Sequence, residues 1–168
     1  MNLRHKISSV LTTAVICLSV LPLCSCGKPA NDYAAYNDFD SDGWIYGQTI
    51  WFRPEHPDTL CEGRLAVALR HEGNFPYRNV WVETTVEDAS RPAADRPGHG
   101  TLRTDTLCIQ LTDRYGAWTG NGISTSYQVI DTVSRPFLHR SGTLVGVRQI
   151  MRTDTLRGIS QLGIFFIP

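Results

Sequence analysis

Apolar and polar residues alternate with a period of two along much of the chain. Between residues 60 and 70, Leu65, Val67 and Leu69 fall on one face, and small or basic side chains fall on the other. Between residues 79 and 87, every even position is a valine or a threonine. This period indicates half-buried β-strands, because successive side chains of a strand point to opposite faces. The connection of roughly seven residues predicts that the two segments form an antiparallel pair.

The same signal recurs at regular spacing through the rest of the chain. Residues 44–52 are rich in aromatic and β-branched side chains, which favour strands. Further apolar or alternating segments lie at 102–111, 123–133, 137–151 and 162–167. Only residues 143–152 could share a helical face, and they suit a strand equally well. About seven or eight short strands at this spacing predict an all-β fold, a single antiparallel β-sandwich of immunoglobulin-like or jelly-roll-like type.

The N-terminus has the organisation of a lipoprotein leader. Basic residues precede an apolar run, Ile7 to Leu21, that is too short to span a bilayer comfortably. The segment Leu23-Cys24-Ser25-Cys26 then has the residue types of a lipoprotein processing site. The thiol of Cys26 would carry a thioether-linked diacylglycerol, and acylation of the new N-terminus would add a further chain and make the anchor stable. A retained transmembrane anchor is the alternative.

These features divide the chain into three parts. We expect a cleaved signal peptide over residues 1–25, a lipidated tether over 26–40 and a β-sandwich domain over 41–168. Gly27 follows the lipidated cysteine where an aspartate would favour retention in the inner membrane, and residues 27–30 lack an acidic cluster. The predicted location is therefore the outer membrane, lipid-anchored and facing the periplasm.

Charge and composition exclude one class of partner. The chain has 16 basic and 16 acidic residues, and Arg4 and Lys6 leave with the signal peptide. The mature protein is therefore slightly acidic, whereas a nucleic-acid-binding protein needs a concentrated basic face. We expect no nucleic-acid partner.

Two cysteines remain in the mature chain besides Cys26. Cys61 and Cys108 both follow the tripeptide Asp-Thr-Leu. The oxidising periplasm permits a disulfide between them if their geometry allows it. Two separate buried thiols are equally compatible with the sequence.

No segment carries a convincing catalytic or metal-binding motif. Residues 38–43 match the front half of a calcium loop, but Thr49 stands at the twelfth position, where a bidentate glutamate is needed. An acidic turn at Asp42-Gly43 is the simpler interpretation. The histidines are scattered, and no serine sits in a nucleophile elbow. We therefore predict no catalytic residue, no metal, no cofactor and no enzymatic activity.

The aromatic residues give the most information about binding. Most should fill the core, because one aromatic side chain buries roughly 150–250 Å². Trp81 lies on the polar face of its strand, which permits an exposed patch. The candidate binding surface comprises Trp81, Trp118, Tyr77 and Phe75.

Several stretches resemble one known family. They are Asp42-Gly43-Trp44, the segment 69–82, Asp105-Thr106-Leu107, the segment 116–122 and the segment 156–163. The glycine–tryptophan–glycine–glycine spacing within 116–122 is the most specific of them. The chain resembles the GldH family of gliding-motility lipoproteins of the Bacteroidetes.

The resemblance implies a limited function. Members of that family act beside other lipoproteins of the gliding machinery, and the family brings no catalytic residue with it. The resemblance thus implies a non-catalytic outer-membrane lipoprotein of the motility or envelope machinery. It would act by protein–protein interaction with other envelope or motility lipoproteins.

Two other functions stay open at this point. A carbohydrate- or peptidoglycan-binding module of the periplasm would be favoured by Trp81 and Trp118 exposed on one face. A hydrolase whose site forms only in three dimensions would be favoured by two close carboxylates in a cleft, or by a histidine with a strongly shifted pKa.

Overall fold

The computed structural model describes residues 34–54, 61–88, 101–123, 125–139 and 142–167. The predicted signal peptide, the predicted lipidation site Cys26 and residues 89–100 lie outside these ranges. In the described part of the chain, no helix is long and apolar enough to cross a membrane.

The described residues form strands and turns, and every strand pairing is antiparallel. The strands are β1 Ala34–Asp38, β2 Trp44–Ile45, β3 Thr49–Phe52, β4 Cys61–Glu72, β5 Asn79–Asp88, β6 Thr101–Gln110, β7 Asn121–Ile123, β8 Ser126–Thr132, β9 Phe137–His139, β10 Thr143–Gln149, β11 Thr155–Leu156 and β12 Ile159–Ile167. Four of these (β2, β7, β9 and β11) have only two or three residues. The all-β prediction is confirmed.

The strands form two large sheets and a small ribbon. The first sheet has the order β1-β12-β4-β8-β7, with β9 also paired to β4. The second sheet has the order β3-β10-β5-β6, and β2 pairs with β11. One hydrophobic cluster draws on the inner faces of both large sheets. It contains Leu65, Val67 and Leu69 of β4 and Val80 and Val82 of β5, as the alternation predicts.

The predicted pairing of β4 with β5 is wrong. β4 pairs with β12, β8 and β9, whereas β5 pairs with β10 and β6 in the other sheet. Their connection, residues 73–78, crosses from one sheet to the other, and we call it the arch. Phe75 of the arch is only 4% exposed and belongs to the core. The apolar stripes of β4 and β5 therefore meet face to face across the sandwich instead of side by side.

The predicted tether is too long at its C-terminal end. Residues 34–38 form β1, which pairs with β12 over its whole length, from Ala34 opposite Phe165 to Asp38 opposite Gln161. The sandwich thus begins by Ala34 and not at residue 41. Its five residues, Ala-Ala-Tyr-Asn-Asp, include one aromatic side chain and no β-branched one, so the sequence carries little strand signal there.

The Asp42-Gly43 turn forms as predicted. Gly43 has φ of +83° and its N–H donates to the carbonyl of Asp40. A Cβ atom at Gly43 would lie 2.8 Å from the carbonyl oxygen of Leu156, so a side chain has no room there. The turn directs Trp44 into the core, where it is fully buried and stacks on Phe39 at 5.2 Å between ring centroids.

Both edge strands β1 and β3 lay an aromatic ring over a glycine of the adjacent strand. Tyr36 is the cross-strand partner of Gly163, and Trp51 is the partner of Gly146. A Cβ atom at Gly163 would lie 2.6 Å from the Tyr36 ring, and one at Gly146 would lie 2.8 Å from the Trp51 ring. Glycine weakens a strand interior, and a covering ring offsets that loss.

Candidate functional site

The arch end of the sandwich is built around a buried histidine. His71 is fully buried at the end of β4, and its ring contacts Trp118 at 4.6 Å, Phe75 at 5.6 Å and Tyr127 at 5.7 Å between centroids. Tyr127 is its direct cross-strand partner on β8. We call these four residues the arch cluster. It closes the end of the core beneath the arch.

Trp118 is brought to the cluster by a tight loop. Thr112 and Trp118 form an isolated β-bridge, and the Asp113 carboxylate accepts from the backbone N–H groups of Tyr115 and Ala117 at 2.8 and 2.9 Å. The indole Nε1–H of Trp118 donates to the carbonyl of Gly73 in the arch at 3.1 Å. This bond joins the loop to the arch.

The glycines around Trp118 are required by geometry. Gly116 and Gly120 have φ of +88° and +87°, where side chains are strained. A Cβ atom at Gly120 would lie 2.2 Å from the carbonyl oxygen of Gln128. One at Gly122 would lie 2.5 Å from the carbonyl oxygen of Ser126. The Gly-x-Trp-x-Gly-x-Gly spacing therefore encodes the close approach of this loop to β8.

Open grooves flank the arch on both sides. One, of about 620 Å³, is lined by Glu72, Gly73, Asn74, Trp118, Thr125, Ser126, Tyr127 and Ser160. The other, of about 250 Å³, is lined by Glu72, Asn74, Phe75, Pro76, Tyr77, Thr155, Arg157 and Gly158. Glu72 and Asn74 line both grooves, so the arch is a ridge with a polar crest and aromatic walls.

Burial keeps the His71 imidazole neutral. Its pKa is lowered because burial penalises the charged form, and the hydrogen bond to the Glu72 carbonyl opposes this only in part. A carbonyl oxygen only accepts, so Nδ1 carries the proton and donates to it at 2.9 Å. Nε2 is then an acceptor, and it has no partner among the described residues.

This histidine does not have the surroundings of a catalytic base. A general base needs a proton donor within hydrogen-bonding reach and access to substrate. The Nε2 atom is buried, and no hydroxyl of the described groove residues bonds to it. The shifted pKa is explained by the aromatic enclosure, so it gives the hydrolase hypothesis no support.

The structure separates the predicted binding residues. Phe75, Tyr77 and Trp118 meet at the arch, where Phe75 and Tyr77 are in edge contact at 5.6 Å. Tyr77 is 37% exposed, whereas Phe75 is buried and supports the site from below. Trp81 lies apart from them, on the outer face of the second sheet. Trp81 and Trp118 therefore do not form the shared exposed face that would favour sugar binding.

That outer face holds an aromatic residue that the sequence did not single out. Trp51 is 48% exposed and Trp81 is 44% exposed, and both side chains point away from the core. Arg148 and Glu83 lie between them and are joined by an Nε···Oε1 contact of 2.8 Å. Tyr46, 58% exposed, is close enough to Arg148 to raise its pKa further, after the larger effect of Glu83. We call these five residues the indole face.

The remaining predicted sites are only partly described. Burial raises the pKa of the Cys108 thiol, and Gln110 donates a hydrogen bond to its sulfur. The side chain of Cys61 lies outside the described residues, so its pairing with Cys108 stays a prediction. Among the described residues no group of histidine, cysteine and carboxylate side chains could hold a metal ion.

The fold and its surfaces define an all-β sandwich domain with aromatic-walled grooves on both sides of the arch. The sequence over residues 31–165 matches the model of the GldH lipoprotein family. The chain therefore belongs to the GldH lipoprotein family. The match begins just after the predicted lipidation site and covers the whole sandwich up to residue 165.

The other comparisons add little. No curated protein matches the chain. Among solved structures, the chain is similar to the Eiger TNF from S. frugiperda. That likeness has 12% sequence identity and a TM-score of 0.32, and it covers 82% of this chain and 94% of that one.

Proposed function

We propose that this protein is a non-catalytic, lipid-anchored adaptor of the outer membrane that faces the periplasm. It acts in the gliding-motility or envelope machinery by binding other envelope proteins through the arch. Its membership of a lipoprotein family supports the anchor on Cys26. The observation that carries the binding role is the arch itself, a polar ridge between two aromatic-walled grooves.

The position of the arch suits such a role. β1 begins at Ala34, which pairs with Phe165 of β12, and Phe165 pairs with Ala66 of β4. Ala34 and Ala66 are therefore at the same height in the sheet. From Ala66 to the start of the arch, β4 rises about 23 Å at ~3.3 Å per residue. The chain thus enters the sandwich well away from the arch, which leaves the arch accessible to a partner.

The chemistry of the arch also suits a protein partner. Tyr77 is partly exposed, Trp118 is half-buried, and both belong to the aromatic types enriched at interfaces. The arch cluster holds these rings in fixed positions, so little side-chain freedom would be lost on binding. Glu72 and Asn74 supply polar groups on the crest between the grooves, and Arg157 supplies one in the wall of the smaller groove.

Capture from detergent-solubilised envelopes tests this proposal. We expect the intact lipoprotein to recover a specific envelope protein. Asn74→Arg should lose it, because a long charged side chain on the crest would obstruct close contact with the arch. Thr104→Arg, on an exposed position of β6, is the matched control and should keep the partner. Equal recovery by the two variants would place the partner elsewhere.

Labelling with palmitate tests the anchor separately. Cys26→Ala removes the thiol that takes the diacylglycerol, so we expect the label to disappear and the precursor to stay unprocessed. Cys61→Ala should still be labelled. Labelling that survives Cys26→Ala would remove the basis of the anchor.

A further inference from the structure

The indole face is organised differently from the arch. Register places Trp51 opposite Gly146 and Gly146 opposite Thr85, with Trp81 four residues before Thr85 on β5. Trp51 and Trp81 are thus two strands apart and four residues apart along the strands. With strands ~4.8 Å apart and ~3.3 Å per residue, their Cα atoms are about 16 Å apart across a pleated surface.

The sheet fixes the position of each tryptophan and leaves part of its indole ring exposed. The six-membered ring of Trp51 lies across Gly146, since two of its atoms are within 2.9 Å of the place that a Cβ would occupy. Trp81 is held through its backbone, which bonds to the sulfur of Met151 and to the N–H of Ile150. Nearly half of each indole side chain remains open to solvent.

The space between the rings is polar. Arg148 donates through Nε to Glu83, and its side chain is still 44% exposed. Register places Thr49 beside Arg148 and Thr106 beside Glu83, so hydroxyl groups flank the ion pair on both sides. The indole face therefore has apolar rings at its ends and donors and acceptors at its centre.

This arrangement excludes several classes of partner. Protein interfaces are depleted of charge at the centre, whereas a full ion pair, Arg148 with Glu83, stands at the centre of the indole face. Nucleic acid needs uncompensated basic charge, and Arg148 is paired with Glu83. Contact with a lipid surface would remove water from the Arg148–Glu83 ion pair at the centre of the face, which is costly.

A sugar chain matches the pattern. A pyranose ring has a C–H face that stacks on an aromatic ring and a rim of hydroxyls that both donate and accept. Binding sites in general combine aromatic walls with a few placed polar groups. We propose that the indole face binds a polysaccharide strand of the cell envelope, with sugars stacked on Trp51 and Trp81 and their hydroxyls bonded to Arg148 and Glu83. This surface is additional to the arch and does not depend on its partner.

Binding of the purified full-length lipoprotein in detergent to glycan tests the proposal. The probes are isolated peptidoglycan sacculi, by co-sedimentation, and a soluble N-acetylglucosamine oligomer, by tryptophan fluorescence. We expect binding to at least one probe, with the affinity reduced about tenfold in Trp81→Ala and in Trp51→Ala. Trp81→Tyr should retain most of the binding because it keeps an aromatic face.

Controls separate binding from folding. Tyr115→Ala removes a ring that is 77% exposed in the 112–118 loop and should bind like the unaltered protein. Trp51→Ala also uncovers Gly146, so the thermal stability of this variant is measured in parallel. If Trp51→Ala is unfolded, the test rests on Trp81→Ala alone. Absence of binding to both probes would overturn the proposal, as would binding that Trp81→Ala leaves unchanged.

Discussion

The arch cluster and the indole face use the same aromatic residue types in opposite surroundings. In the arch cluster, His71, Phe75, Trp118 and Tyr127 contact one another and close the end of the core. On the indole face, Trp81 has no aromatic neighbour among the described ring contacts and is nearly half exposed. The comparison separates rings that stabilise the fold by packing in the core from rings that are exposed on the surface of the sheet. Rings of the second kind should be alterable at a smaller cost in stability.

Trp118→Ala should give the largest effect. It removes a half-buried indole from the His71 ring and its hydrogen bond to Gly73. We expect the free energy of unfolding to fall by about 3 kcal/mol, as for other large-to-small aromatic substitutions in cores. Urea denaturation measures it. A loss under about 1 kcal/mol would mean that the arch cluster does not close the core.

Gly120→Ala should be nearly as damaging although it adds only a methyl group. The new Cβ would meet the Gln128 carbonyl oxygen, and the positive φ is strained for alanine. We expect a loss of about 2 kcal/mol. Gly47→Ala is a matched control, because Gly47 also has positive φ (+77°) but no atom within 4 Å of the added Cβ. The difference between the two variants isolates the collision with β8.

His71 should make stability depend on pH. Its pKa in the folded protein lies below the ordinary 6.5, so below that pH the unfolded chain binds a proton that the folded chain does not. The free energy of unfolding should therefore fall as pH drops below 6.5, by at most about 1.4 kcal/mol per pH unit from this group.

The His71→Phe variant isolates that contribution. It keeps a ring in the arch cluster and cannot titrate, so we expect a flatter dependence of stability on pH between about 6.5 and 5. Denaturation of both proteins across this range gives the two slopes. Identical slopes would show that protonation of His71 does not oppose folding.

The Trp51→Ala variant should have a smaller effect. It uncovers Gly146 and removes one cross-strand contact between β3 and β10, which is worth about 0.2–1 kcal/mol. Trp51→Phe keeps a ring over the glycine and should lose less. If Trp51→Ala lowered the free energy of unfolding as much as Trp118→Ala, the Trp51 ring would have a structural role like that of the arch cluster.

The Trp81→Ala variant should have the smallest effect on stability. The exposed side chain gives the core nothing, so we expect a change within about 0.5 kcal/mol. A larger loss would assign Trp81 a structural role. The expected combination is unchanged stability with reduced glycan binding.

The sequence predicts the strands well because a period of two identifies which side chains face the core. The period does not identify the pairing partner of a strand. Val80 and Val82 face the core whether β5 lies beside β4 in one sheet or opposite it in the other. Alternation alone therefore predicts a hairpin where the structure has the arch. Local motifs predict the lipoprotein leader and the family, and the family match confirms the family.

The site was less predictable because it depends on contacts between distant segments. Phe75 looks like a surface residue beside a proline, and its burial arises where Gly158, at φ of +84°, leaves room for its ring. Trp51 stands in a short aromatic run with no sign of exposure. Its outward position follows from the alternation along β3, since Phe52 is buried, and Gly146, the glycine that its ring covers, is far along the chain.

Photo-crosslinking in cells tests the central claim, an anchored protein that acts by contact, most directly. A photoreactive amino acid replaces Tyr77 at the arch, with Thr104 on the far sheet as the matched exposed position, and mass spectrometry identifies the products. We expect Tyr77 to capture a specific envelope protein and Thr104 to capture none. Capture of no protein from Tyr77, or of the same proteins from both positions, would contradict the claim.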